Sequence, residues 1–121
     1  MRTIEYPAME DSLHQIVDTI IREIDPVRVI LFGSHGRGEA HLSSDIDLMI
    51  VLKKRRKRYD KFTLSNAVYR ALATFAVPVD IIISSETEME FWKDSLNDIH
   101  ARALREGKLL YERPEKSAAI A

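Results

Sequence analysis

The 121-residue chain contains no cysteine, which excludes disulfide bridges and thiolate-held zinc and fits a reducing compartment. Charge of one sign is not in excess either: 18 Lys and Arg stand against 19 Asp and Glu, for a formal net charge of -1. The chain therefore lacks a global positive field of the kind that draws proteins onto nucleic acid or anionic lipid, and no direct nucleic-acid binding is expected. No apolar run approaches the roughly 18 residues needed to span a bilayer, and the opening stretch MRTIEYPAMEDSLHQ has no uninterrupted apolar segment of signal-peptide kind. These absences predict a cytoplasmic protein with no membrane partner. Repeats, low-complexity tracts and linker-like stretches are also missing. The expectation is one domain over residues 1–121, with its core at about 27–111 and a flexible tail over 112–121.

What is present is an ordinary globular composition, 45% hydrophobic and 31% charged, in a chain long enough to bury a core unaided. Met9, Leu13, Ile16, Val17, Ile20, Ile21 and Ile24 recur at three- and four-residue steps behind Pro7, which predicts an amphipathic helix. Asp25-Pro26 ends it, because the residue before proline is pushed out of the helical region. Val27–Phe32 then reads as a buried strand, a glycine-rich turn spans Gly33 to Gly38, and Asp45–Val51 reads as a second strand. The run Lys53 to Arg58 repels itself and is expected to be a solvated loop. Phe62, Leu64, Val68, Leu72 and Phe75 outline a second helix ending near Ala76, and Val77–Ile83 a third strand. Ser85-Glu86-Thr87-Glu88 has capping-box spacing and opens a helical segment through Met89, Phe91 and Trp92, continuing by Leu96, Ile99 and Leu104 to a stop at Gly107. The order helix, strand, strand, helix, strand, helix predicts an α/β or α+β protein, a small mixed sheet with packed helices.

The chemistry is carried by a constellation: Gly33-Ser34, then Asp45-Ile46-Asp47, then Asp80 in a later strand. Residues two apart in a strand share a face, so Asp45 and Asp47 present neighbouring carboxylates that can bridge two divalent cations about 4 Å apart. Hard carboxylate oxygens select Mg2+, with Mn2+ as the alternative. Asp80 interrupts an apolar run, where a carboxylate is costly to bury without a cation or hydrogen-bond partner. At the turn, Gly33 lets the backbone approach a phosphate closely, while the Ser34 hydroxyl and neighbouring amides donate to phosphate oxygens. Arg37 offers a charged, planar donor fork to a triphosphate. His14, His41 and His100 are expected in surface or structural roles, and Met89, Phe91 and Trp92 in the core or an interface.

Gly33-Ser34-His35-Gly36-Arg37-Gly38, Ser44-Asp45-Ile46-Asp47-Leu48 and Val79-Asp80-Ile81 together resemble the DNA polymerase beta-like nucleotidyltransferase superfamily, and more narrowly its minimal nucleotidyltransferase (MNT) branch. The likeness runs from about Val27 to Tyr111. His35 and Gly36 stand where the branch often has arginine and alanine. The resemblance implies that fold and a two-metal transfer. Asp45, Asp47 and Asp80 are its catalytic and metal-binding residues, Gly33, Ser34, Arg37 and Ser44 bind nucleotide, two Mg2+ ions are cofactors, and ATP is the substrate. Members of this kind act as antitoxins beside a HEPN-domain RNase toxin, moving AMP from ATP onto a toxin tyrosine. The alternatives are an antitoxin that silences the toxin by binding alone, and a transferase acting on an aminoglycoside-like small molecule.

Overall fold

The computed structural model describes residues 7–33, 46–53, 61–75, 77–95 and 98–114. Helix α1 (Pro7–Ile24) buries Leu13, Ile16, Val17, Ile20 and Ile24, the predicted stripe. Each such side chain removed from water contributes about 1.5–3 kcal/mol of transfer free energy. Asp25 takes a left-handed backbone (φ 49°) ahead of Pro26, which turns the chain into β1 (Arg28–Phe32). Aspartate is among the few residues that tolerate that conformation.

Strand β2 (Ile46–Leu52) pairs antiparallel with β1, and β3 (Val79–Ser85) pairs parallel with β2. A parallel pair needs a crossover, and the connection carries α2 (Lys61–Ala71). A fourth strand, β4 (Lys108–Glu112), lies antiparallel on the other side of β1, so the sheet order is β3-β2-β1-β4. It follows α3 (Glu86–Trp92) and α4 (Ile99–Glu106).

Alternation along the strands divides the core in two. Val29, Leu31, Ile46, Leu48, Ile50, Ile81 and Ile83 face α1 and α2, where Leu64, Val68 and Leu72 meet them. Ile30, Met49 and Val51 face the other way, onto Met89 of α3 and Ala103 of α4. Helices therefore cover both faces of a mixed sheet, the α+β arrangement expected. Tyr69 on α2 also reaches the outer strand, where its hydroxyl accepts a hydrogen bond from the Ile81 N–H at 2.9 Å.

Three local expectations are corrected. The helical segment from Ser85 to Gly107 is two helices: α3 is capped by Ser85, whose hydroxyl accepts from the Glu88 N–H at 3.2 Å, and α4 starts afresh at Asp98, which accepts from the His100 N–H at 2.7 Å. The C-terminal strand was not foreseen. Beyond that strand, Arg113 N–H donates to the Val27 carbonyl at 2.8 Å and its guanidinium to the Asp25 carbonyl at 2.6 Å. Gly107 ends α4 in an extended conformation (φ -84°) and not a left-handed one. Glycine is needed there for space, since a Cβ would lie 2.6 Å from Ile30 Cγ2.

Candidate functional site

The site is built where β1 ends and where β2 and β3 begin. The Ile46 N–H donates to the Pro78 carbonyl at 2.9 Å, and the parallel register that follows sets Asp47 beside Asp80. Pro78 costs the ladder no donor there, because it contributes through its carbonyl. On the other side of β2, Phe32 lies opposite Asp47, so Asp80, Asp47 and Phe32 form one row across three strands. Gly33 follows directly.

Residues in one row share a face of the sheet. Met49 and Ile82 lie two positions beyond Asp47 and Asp80 and pack toward Met89 of α3 and Ala103 of α4. The two carboxylates therefore emerge on the α3/α4 side, at the end of the sheet where β1 leads into the turn. Asp47 is half-buried and Asp80 exposed.

Gly33 is tied to Asp47 by shape. Its backbone is left-handed (φ 72°), and a Cβ built on it would overlap Asp47 Oδ2 and lie 3.2 Å from Asp47 Cγ. The turn can pass this close to the carboxylate only because the residue has no side chain.

Of the residues expected to form the site, the structure brings together Gly33, Asp47 and Asp80. Ser34, Arg37, Ser44 and Asp45 lie outside the described residues, as do His35, His41 and residues 54–58 of the basic run. Asp80 is not buried, so the desolvation argument for a cation partner does not apply to it. Its place beside Asp47 makes the case instead. Strands about 4.8 Å apart hold two carboxylates close enough to repel by roughly 1 kcal/mol even in water-like surroundings. A hard divalent cation relieves that repulsion, and the exposure of Asp80 leaves room for the water and phosphate ligands that Mg2+ retains. The donor chemistry fits the ion. Among the described residues no group of three His, Cys, Asp or Glu side chains gathers to complete a cage.

Other singled-out residues take structural places. His14 is exposed on α1. His100 Nδ1 lies 2.6 Å from the Asp98 carboxylate. Burial alone would raise the Asp98 carboxyl, but the side-chain and backbone hydrogen bonds from His100 outweigh it and hold the group below the ordinary carboxylate value. Met89 is core, whereas Phe91 is 74% and Trp92 39% exposed. Phe32, beside Asp47, was not singled out from sequence; its place directly before Gly33 was the available signal. No described helix is long and apolar enough to cross a membrane.

The model of the family "Polymerase beta, Nucleotidyltransferase" matches residues 14–116. The chain belongs to the polymerase beta nucleotidyltransferase family. Two Methanocaldococcus jannaschii relatives carry the names "Putative protein adenylyltransferase MJ1305" and "Putative protein adenylyltransferase MJ0604". The first is 26% identical over 112 residues, 86% of this chain and 75% of that protein. The second is 32% identical over 85 residues, 69% and 77% respectively. A crystal structure described as a "putative nucleotidyltransferase from Sulfolobus solfataricus" shares the fold, with a TM-score of 0.57 at 24% identity over 90% of both chains. So does one described as a "toxin-antitoxin with AMP-PNP", with a TM-score of 0.50 at 17% identity over 87% of this chain and 77% of that one.

Proposed function

We propose that this chain is the antitoxin of a toxin-antitoxin pair and acts as a Mg2+-dependent protein adenylyltransferase, transferring AMP from ATP to a tyrosine hydroxyl of a HEPN-domain RNase toxin. The observation that carries this reading is the row of Asp47 and Asp80 at the left-handed Gly33 turn. The names of the two archaeal relatives support the activity, and the toxin-antitoxin with AMP-PNP of the same fold supports the partner and the nucleotide.

In this reading the acceptor hydroxyl oxygen bonds to the α-phosphorus of ATP as the bond to the bridging oxygen breaks, and pyrophosphate leaves with that electron pair. Such in-line displacement needs chiefly positioning and charge neutralisation. Gly33, Ser34, Arg37 and Ser44 hold the phosphates, with Arg37 supplying positive charge. Asp45, Asp47 and Asp80 are the residues that would hold Mg2+, which when bound supplies charge neutralisation to the triphosphate. Asp80, the exposed member of the row, faces the acceptor and receives its hydroxyl proton.

The test is intact-protein mass spectrometry of a purified HEPN-domain RNase toxin after incubation with the chain, Mg2+ and ATP. One or more adenylyl additions are expected, and their rate should fall at least about a hundredfold in the Asp45→Asn, Asp47→Asn double variant, because interactions that stabilise developing charge are worth several kcal/mol. A double variant that transfers at the native rate would overturn the site. A stable complex with no mass gain from any nucleoside triphosphate would replace enzymatic silencing by silencing through binding.

A further inference from the structure

The face of the sheet that carries the carboxylates also carries a groove at its opposite end. Arg28, Ile30 and Phe32 alternate onto this face of β1, so Arg28 lies on the same side as Asp47 and Asp80. Four residues separate Arg28 from the Phe32 row, or about 13 Å along the strand. There Arg28, Glu86, Thr87, Glu90 and Phe91 line an open groove of about 620 Å³ between β1 and α3.

Two features mark this groove as more than a gap between elements. Phe91 is 74% exposed on a helix whose core contact is made by Met89. Its ring leans edge-on against Trp92, with centroids 4.9 Å apart. An exposed aromatic pair of this kind is unusual on a surface with no partner and typical of the anchors of protein interfaces. The charge around the pair is also one-sided: residues 86–94 carry Glu86, Glu88, Glu90 and Asp94 against Lys93 alone. Glu88 is engaged by Lys61 across the helix start, and Glu90 makes an exposed pair with Lys93, of the kind that exchanges readily for another cation. Glu86 and Glu90 stand one helical turn apart on the groove wall, with Arg28 opposite.

We propose that this groove is the docking site of the protein acceptor. It takes a segment that places a lysine or arginine between Glu86 and Glu90 and an apolar side chain against Phe91, while Arg28 donates to that segment's backbone carbonyls. A flat aromatic flanked by carboxylates fits a basic, apolar peptide and repels an acidic one. Held there, the acceptor passes outside α3 and α4, because the sheet face between the groove and the carboxylate row is buried beneath those helices, and docking raises the local concentration of the hydroxyl without contributing to nucleotide binding. This inference rests on the reading of the chain as a protein adenylyltransferase.

The experiment measures transfer rate against acceptor concentration, and acceptor binding by surface plasmon resonance, for the native chain, Phe91→Ala and the Glu86→Lys, Glu90→Lys double variant, using the same HEPN-domain protein. Both variants are expected to raise KM and the acceptor Kd about tenfold or more, with kcat and ATP affinity unchanged, and Phe91→Ala, which removes an exposed ring, also leaves the melting temperature unchanged. Native KM and Kd in both variants would overturn the docking site and leave the activity standing. A native chain that binds the acceptor but does not modify it would overturn the activity, and weakened binding by the variants would still support the docking site. If the native chain neither binds nor modifies the protein, both are overturned.

Discussion

Replacing Gly33 by alanine tests the closest contact at the site. The backbone there has φ 72°, and the new Cβ would overlap the Asp47 carboxylate. Holding an L-residue in the left-handed region costs about 1–2 kcal/mol, and pushing Asp47 off its rotamer costs about 0.5–1.5 kcal/mol more. Together they destabilise the fold by about 2–3 kcal/mol, or roughly 10 °C in Tm for a chain of this size. The two contributions separate in a double-mutant cycle. In an Asp47→Ala background the overlap is gone, and Gly33→Ala should cost only the backbone share. Urea unfolding and thermal melts of the four proteins measure both. A Gly33→Ala protein that melts within about 2 °C of native, or a loss that is identical in both backgrounds, would refute the close packing of turn on carboxylate. Gly33→Val should also weaken ATP binding, and unchanged affinity would sink the assignment of this turn to phosphate.

Without divalent cations, Asp80→Asn is expected to stabilise the protein by about 0.5 kcal/mol, because it removes a like charge from the position beside Asp47. Mg2+ should then raise the Tm of the native chain and raise that of the variant by less than half as much; equal increments would place the ion elsewhere. Arg113→Ala should cost about 1 kcal/mol and speed hydrogen exchange at the junction of α1 and β1, since Arg113 holds the Asp25 carbonyl at 2.6 Å; unchanged exchange would mean that the contact restrains nothing. Asp98 titrates lower in the folded chain than in the unfolded one, so its contribution is present above the unfolded value, near pH 4, and is lost as pH falls through the folded value. Asp98→Asn should therefore flatten the decline in Tm as pH falls below about 4, and an acid limb parallel to the native one would contradict this.

Much of this architecture could be read from local pattern. The stripe of α1 is continuous from Leu13 to Ile24, and β2 is apolar on both faces because it lies inside the sheet with helices on either side. Strand β4 could not be read that way. Its sequence, Lys-Leu-Leu-Tyr-Glu, is short and follows a helix with only Gly107 between, and it is a strand because β1 has an open side to pair with. The division of α3 from α4 was masked by Leu96 and Ile99, which continue the helical spacing through the cap at Asp98. At the candidate site, the convergence of Gly33, Asp47 and Asp80 was expected from the motifs together, but the side-by-side placing of Asp47 and Asp80 was not. That adjacency depends on the parallel register of β2 and β3, which no local spacing encodes. The exposure of Asp80 depends on its being the second residue of its strand, a position that apolar neighbours do not reveal.

The row of carboxylates is divided between an inner strand and an outer one. Asp47 sits in β2, held by neighbours on both sides, whereas β3 has β2 on one side and the Tyr69 hydroxyl on the other. Asp47 meets Asp80 only through the docking of β3 beside β2, so the candidate site needs the border strand in place. Separating that one border strand from β2 would part the two carboxylates of the row. In the proposed reading, activity reports the attachment of β3, which the Tyr69 hydroxyl secures on the outside with one hydrogen bond.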